Sequence, residues 1–182
     1  MENNQWLKNI PERVGNYLAG FTDGEGSFNV SLVRREDYIL GWKVVMAFNV
    51  SQRDKTVLAI FKKYLGCGRF QYREDGVWYY VISNPRLIQE RVIPFFKRFS
   101  FFSSSKKTNF SIFCQIAKVM NDGGQYNHDG LRKIIELRET LNIGKGRKRK
   151  WELHHYEQSL VENPQRPYAR VKYRPKHLGG TR

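Results

Sequence analysis

The chain has 182 residues, with 32 Lys and Arg against 17 Asp and Glu, for a formal net charge of +15. That length makes one domain with an appendage, or one slightly large domain, and a 40% hydrophobic, 14% aromatic composition excludes disorder over most of it. The charge excess points to a polyanion, of which nucleic acid is the common one, while the lack of a long apolar run or of clustered Cys and His argues against a membrane span, a signal peptide and a zinc site.

Pro11 suits a first helical turn and predicts a helix running to about Thr22. Within it Gly15 and Ala19 lie one turn apart, as do Asn16 and Gly20. These small residues could pack against the chain's own sheet or let another helix approach closely. Asp23, Gly24, Glu25 and Gly26 are expected to stop the helix and expose two carboxylates beside freed carbonyls. Carboxylates on a small, fixed turn suit a hard cation such as Mg²⁺. A metal-binding acid in a cationic protein suggests chemistry on a nucleic-acid backbone.

Residues Ser27 to Arg35 alternate, with Phe28, Val30 and Leu32 on one side and Ser27, Asn29, Ser31, Val33 and Arg35 on the other. From Gly41 to Gln52 the row Trp42, Val44, Met46, Phe48 and Val50 opposes Lys43, Val45, Ala47 and Asn49. The polar segment Glu36, Asp37 and Tyr38 joins them into a hairpin with one dry and one wet face. Asp54 caps a helix through Val57, Leu58, Ile60, Phe61 and Leu65, ended by Gly66 and Gly68. A second hairpin sets Arg69, Gln71 and Arg73 against Phe70 and Tyr72, turns at Glu74, Asp75 and Gly76, and returns from Val77 to Ile82. Asn84 and Pro85 begin a helix that Pro94 should break, and Lys106 to Met120 and Asp129 to Leu141 read as two more. After Gly144 the chain turns basic, with Lys145, Arg147, Lys148, Arg149 and Lys150, and reads as a loosely held arm. Cys67 and Cys114 read as buried free thiols, the usage of a reducing compartment.

The rise of a strand is close to the spacing of base pairs, so alternate side chains on a sheet can sample successive bases. Ser27, Asn29, Ser31, Arg35, Lys43, Asn49, Arg69, Gln71 and Arg73 are base-edge or phosphate-contacting types on expected wet faces, which carry few acids.

The run Leu18, Ala19, Gly20, Phe21, Thr22, Asp23, Gly24, Glu25, Gly26 resembles the signature of the LAGLIDADG homing endonuclease family, with both acids and the last Gly in place. The segments Phe48–Asp54, Lys106–Phe110, Gly130–Arg138 and Gly146–Lys150 resemble further landmarks of that family, so the likeness covers roughly residues 12 to 150. It implies an α+β, αββαββα fold with a saddle-shaped antiparallel sheet as DNA-binding face, followed by C-terminal helices and a basic tail. The expected division is an endonuclease domain over 1–150 and a basic extension over 151–182. A single motif implies a homodimer with Gly15, Asn16, Ala19 and Gly20 between the copies. The implied activity is Mg²⁺-dependent hydrolysis of both strands of a long, near-palindromic double-stranded DNA target by an intron-encoded enzyme. Glu25 stands where the family more often has Asp, one methylene longer, and would bind the metal with the Gly24 carbonyl, while Asp23 is expected to support the helix end and not the metal. Gln52 matches a position that orients water, and Lys106 one that stabilises transition-state charge, with Lys107 its competitor. A further basic position falls near Lys55 or Thr56. Lys107, Arg147, Lys148, Arg149 and Lys150 join the DNA-binding set. The rival readings are an intron-RNA-binding maturase and a non-cleaving DNA-binding protein. The expected location is the bacterial cytoplasm or the interior of a chloroplast or mitochondrion.

Overall fold

The computed structural model describes residues 5–38, 40–143 and 150–162. In chain order it contains α1 (Gln5–Lys8), α2 (Glu12–Glu25), β1 (Gly26–Arg34), β2 (Trp42–Gln52), α3 (Lys55–Leu65), β3 (Arg69–Tyr72) and β4 (Trp78–Ile82). A helix in three parts follows: α4 (Pro85–Leu87), a π-helical turn (Ile88–Val92) and α5 (Ile93–Arg98). Then come α6 (Ser104–Asn121), a 3₁₀ turn (Gly124–Tyr126), α7 (His128–Glu139) and α8 (Leu153–Glu162). The strands form one antiparallel sheet in the order β1-β2-β4-β3.

The alternation read from the sequence fixes which face is dry. Along β1 and β2 every second residue, from Phe28 to Leu32 and from Trp42 to Val50, is buried, and the intervening residues stay half-exposed or exposed. Helices cover the buried face. Phe28 is central to it, with the rings of Phe48, Phe96, Phe101, Phe110 and Phe113 at 5.1–5.8 Å. Such tilted and edge-on pairs each add about 0.5–1.5 kcal/mol beyond area burial.

Local chemistry sets the element ends. The Asp54 carboxylate accepts from the Thr56 amide and hydroxyl at the start of α3, and Gly66 closes that helix in the left-handed region at φ 68°. Asn84 caps α4, whose first residue is Pro85. Pro94 does not break the helix as expected. The Ile93 amide reaches back to the Ile88 carbonyl, so the hydrogen-bond register slips just where proline has no N–H to give.

β1 is an edge strand, and side chains occupy its outward carbonyls in place of a fifth strand. Lys106 donates to the Gly26 carbonyl, Asn142 Nδ2 to that of Phe28 at 2.7 Å, and Arg138 Nε to that of Val30 at 3.1 Å. This blunts an edge that would otherwise invite pairing.

The division expected at residue 150 does not hold within the described residues. Trp151 packs against Trp42 with ring centroids 5.2 Å apart, Ser159 Oγ accepts from Trp42 Nε1 at 3.0 Å, and Tyr156 is fully buried. Residues 151–159 therefore pack with the same core, while 163–182 lie outside the described residues. Cys67 and Cys114 are free and half-buried, and burial pushes the Cys114 thiol up to about 11. Among the described residues no helix is long and apolar enough to cross a membrane.

Candidate active site and nucleic-acid interface

The acids lie in the last turn of α2, because the helix runs to Glu25 instead of stopping near Thr22. Gly24 tolerates helical backbone, and Gly26 turns extended at φ −87°, ψ 153° to begin β1. A Cβ at Gly26 would lie 2.3 Å from Thr22 Cγ2, so the tight passage from helix to strand requires glycine there. Thr22 itself is buried and donates its hydroxyl to the Leu18 carbonyl at 2.8 Å.

The two acids are used differently. Asp23 accepts from the Phe102 and Ser103 amides, each at 2.9 Å, and from the Ser103 hydroxyl. Burial would raise its carboxyl pKa. The Ser103 and Phe102 hydrogen bonds and the Lys106 charge outweigh that and hold it below the ordinary carboxylate value. Glu25 is exposed, and no hydrogen bond reaches its carboxylate among the described residues. Both acids sit at the negative end of the α2 dipole, with no basic residue in that turn. A cation is favoured at such a helix end.

Part of that cation is Lys106. It is half-buried, held on the Gly26 carbonyl, and close enough to Asp23 and Glu25 to feel both charges. Burial lowers its pKa, and the two carboxylates oppose the fall. Lys107 is exposed on α6 and takes no part in this cluster. Gln52 extends β2 two residues beyond the Val50–Gly26 pair, and its Oε1 accepts from the Arg53 amide at 2.8 Å, a strand-end cap. Lys55 lies over the Trp78 and Phe70 rings at 4.3 and 4.8 Å, and the Thr56 hydroxyl bonds Asp54.

The donors fit a hard divalent ion. An exposed carboxylate and the free carbonyls at a helix C-terminus, Gly24 among them, are the oxygen donors Mg²⁺ takes. Among the described residues no three His, Cys, Asp or Glu side chains gather into a metal site. Glu25 is therefore an incomplete set, of the kind usually finished by phosphate oxygens and a second carboxylate.

The expected small-residue interface divides in two. Gly15 and Ala19 face the chain's own interior; a Cβ on Gly15 would fall 2.3 Å from the Phe99 ring. They are thus corrected from partner contacts to core contacts, because α2 buries that stripe against the α5 end. Asn16 and Gly20 lie on the exposed side of α2 with Gly24, and nothing stands within 4 Å of a Cβ at Gly20 or Gly24.

The open sheet face carries the expected polar rows. Ser27 pairs with Asn49, Asn49 with Val81, and Val81 with Arg69, one row across four strands. A second row is Ser51, Tyr79 and Gln71, and Asn29, Ser31 and Lys43 lie on the same face. Arg69 donates to Ser83 Oγ at 3.3 Å, and Arg73 to the Tyr79 hydroxyl at 3.1 Å. Ser51, Tyr79 and Ser83 are not singled out by the sequence pattern; the β2–β4 and β3–β4 registers bring Ser51 and Tyr79 beside Gln71, and the Arg69 contact brings in Ser83. Arg35 lies beyond β1 and is held by Asp37 through two bonds of 2.7 and 2.8 Å, so its charge is partly neutralised within the turn. Lys150 sits over Trp151 at 5.4 Å, while Arg147, Lys148 and Arg149 fall outside the described residues.

A family profile described as LAGLIDADG endonuclease matches residues 18–117. The chain belongs to that family. It is 27% identical over 132 residues to "Probable intron-encoded endonuclease 2" of Neurospora crassa, a match covering 70% of this chain and 29% of that protein. The chain thus spans under a third of that relative's length. Among solved structures, the archaeal intron-encoded homing endonuclease I-Vdi141I complexed with DNA superposes with a TM-score of 0.74 at 28% identity, covering 81% of this chain and 94% of that one. Meganuclease I-SmaMI bound to uncleaveable DNA gives a TM-score of 0.69 at 31% identity, covering 75% of this LAGLIDADG chain and 47% of the meganuclease.

Proposed function

We propose that this chain is an intron-encoded homing endonuclease that hydrolyses both strands of a long, near-palindromic DNA duplex, as a Mg²⁺-dependent homodimer. The observation that carries the reading is the exposed Glu25 carboxylate, unbonded among the described residues and within electrostatic range of Lys106, at the end of a sheet whose strands carry no acid. Relatives named intron-encoded endonucleases, and solved relatives bound to DNA, support it.

The open face of the sheet docks the duplex. Arg69, Arg73 and Lys43 meet phosphates or guanine edges, and Asn29, Asn49 and Gln71 meet adenine edges. The valines and Ala47 on that face offer apolar contact to thymine methyls. Glu25 and the Gly24 carbonyl would hold the ion, which would supply charge neutralisation and Lewis acidity at the scissile phosphate. Lys106 places its positive charge beside the same phosphate, where negative charge grows in the transition state. Gln52 orients water near the end of β2, a role compatible with Oε1 already bound and the amide nitrogen left as donor.

Incompleteness supports the homodimer. One chain offers one metal-binding acid, whereas two strands must be cut. The outer side of α2 is lined by Asn16, Gly20 and Gly24, whose small size this chain's own packing does not require at either glycine. The same unit matches nearly all of I-Vdi141I but just under half of I-SmaMI, a chain about twice as long.

The test joins the sequences flanking the reading frame into one duplex and incubates it with protein and Mg²⁺. Wild type is expected to cut both strands, and Glu25→Gln to bind equally well without cutting. Nicking by Glu25→Gln at the wild-type rate would remove Glu25 from the chemistry. Tight binding of the intron RNA with no DNA cleavage would favour the maturase reading.

A further inference from the structure

We propose that Asp23, the first acid of the motif, is a positioning residue: its carboxylate clamps the turn that starts α6 and so holds Lys106 on the Gly26 carbonyl, within electrostatic range of Glu25. The proposal rests on the roles given above to Lys106 and Glu25.

Two cross-links join the end of α2 to the start of α6. In the first, Asp23 Oδ2 accepts the Phe102 and Ser103 amides and Oδ1 the Ser103 hydroxyl. In the second, Lys106 reaches the Gly26 carbonyl. They are coupled, because Ser103 Oγ also accepts from the Lys106 amide at 3.3 Å as the cap of α6. A chain of contacts therefore runs from Asp23 through Ser103 to the lysine backbone and back, through its ammonium, to the residue after Glu25.

Packing does not hold this turn by itself. Phe101 is buried, but Phe102 is 92% exposed and Ser104 and Ser105 are open. Without the carboxylate, the Phe102 and Ser103 amides would turn to water, and the first turn of α6 would have only its serine cap. A lysine side chain has four rotatable carbons, so its ammonium stays at one point only if its backbone does. Both oxygens of Asp23 are already engaged by protein donors, which sets it apart from Glu25 as a donor to an ion.

The experiment uses the full chain and compares Asp23→Asn, Asp23→Ala and Glu25→Gln on the duplex target. Asparagine keeps an oxygen for the amides and can donate to Ser103 Oγ, so single-turnover cleavage should stay within about tenfold of wild type. Alanine should lose about 100-fold or more in rate at saturating DNA while DNA affinity is unchanged. Adding Lys106→Ala to Asp23→Ala should cost little beyond Lys106→Ala alone, since the two act as a unit. Hydrogen exchange over residues 100–107 should quicken in Asp23→Ala and not in Asp23→Asn. An Asp23→Asn variant as inactive as Glu25→Gln would overturn the proposal, because charge, not shape, would then be required. Unchanged exchange in Asp23→Ala would overturn it equally. If wild type cuts nothing, the nuclease reading fails, and the exchange measurement still decides the clamp.

Discussion

At the scale of single residues, two acids two positions apart have been given different environments. Asp23 is tied into the protein by three donors, and Glu25 faces outward. The adjacent lysines separate in the same way. Lys106 is half-buried against Gly26, whereas Lys107 is exposed on α6. Lys106→Ala is accordingly expected to lower cleavage by about 100-fold or more with DNA affinity nearly intact, as for a lost transition-state charge partner. Lys107→Ala should weaken binding to all sequences and reduce the slope of log affinity against log salt by about 1. Single-turnover kinetics and a salt titration measure these; reversed effects would hand the role to Lys107.

At the scale of elements, the most exacting piece is β1. One of its edges pairs with β2, and the other is filled by Lys106, Asn142 and Arg138. Arg138 is only 6% exposed and also donates to the Trp151 carbonyl at 2.7 Å, so it ties α7 to the strand and to the segment leading into α8. Arg138→Ala would leave the Val30 and Trp151 carbonyls without their donor and is expected to destabilise the protein by about 2–4 kcal/mol. Urea denaturation measures it, and a loss below about 0.5 kcal/mol would mean that water replaces the guanidinium freely. The same strand begins at Gly26, so its edge lock and the lysine of the site share one carbonyl row.

At the scale of the whole molecule, a basic, helix-backed sheet presents one polar face, and one helix presents one open side beside the acid. Gly20 tests the second feature. Nothing lies within 4 Å of a Cβ there, so Gly20→Leu should leave the fold of each chain intact, read as an unchanged far-UV circular dichroism spectrum. It should nevertheless drive the protein to a monomer in sedimentation and remove double-strand cleavage. A dimer of undiminished strength would place the contact elsewhere on the molecule.

Much of this was legible in the residue order. Period-two alternation gave both hairpins and the dry face, since strand side chains alternate whatever the context. Asp54, Gly66 and Asn84 announced helix ends through local hydrogen bonding and backbone freedom. The motif from Leu18 to Gly26 pointed to the family. Other features depended on contacts distant in sequence. Gly15 and Asn16 look alike as small helix residues, and only the Phe99 ring makes one of them interior. The motif already implies a supporting role for Asp23, and the turn at Ser103, 80 residues away, shows what it supports. Trp151 and Tyr156 stand in a stretch read as a loose arm, yet Trp42 and the core receive them. Local pattern determines what a segment can be, because backbone geometry acts over a few residues. Which of two equivalent groups becomes buried or bonded is decided only when remote segments meet and exclude water.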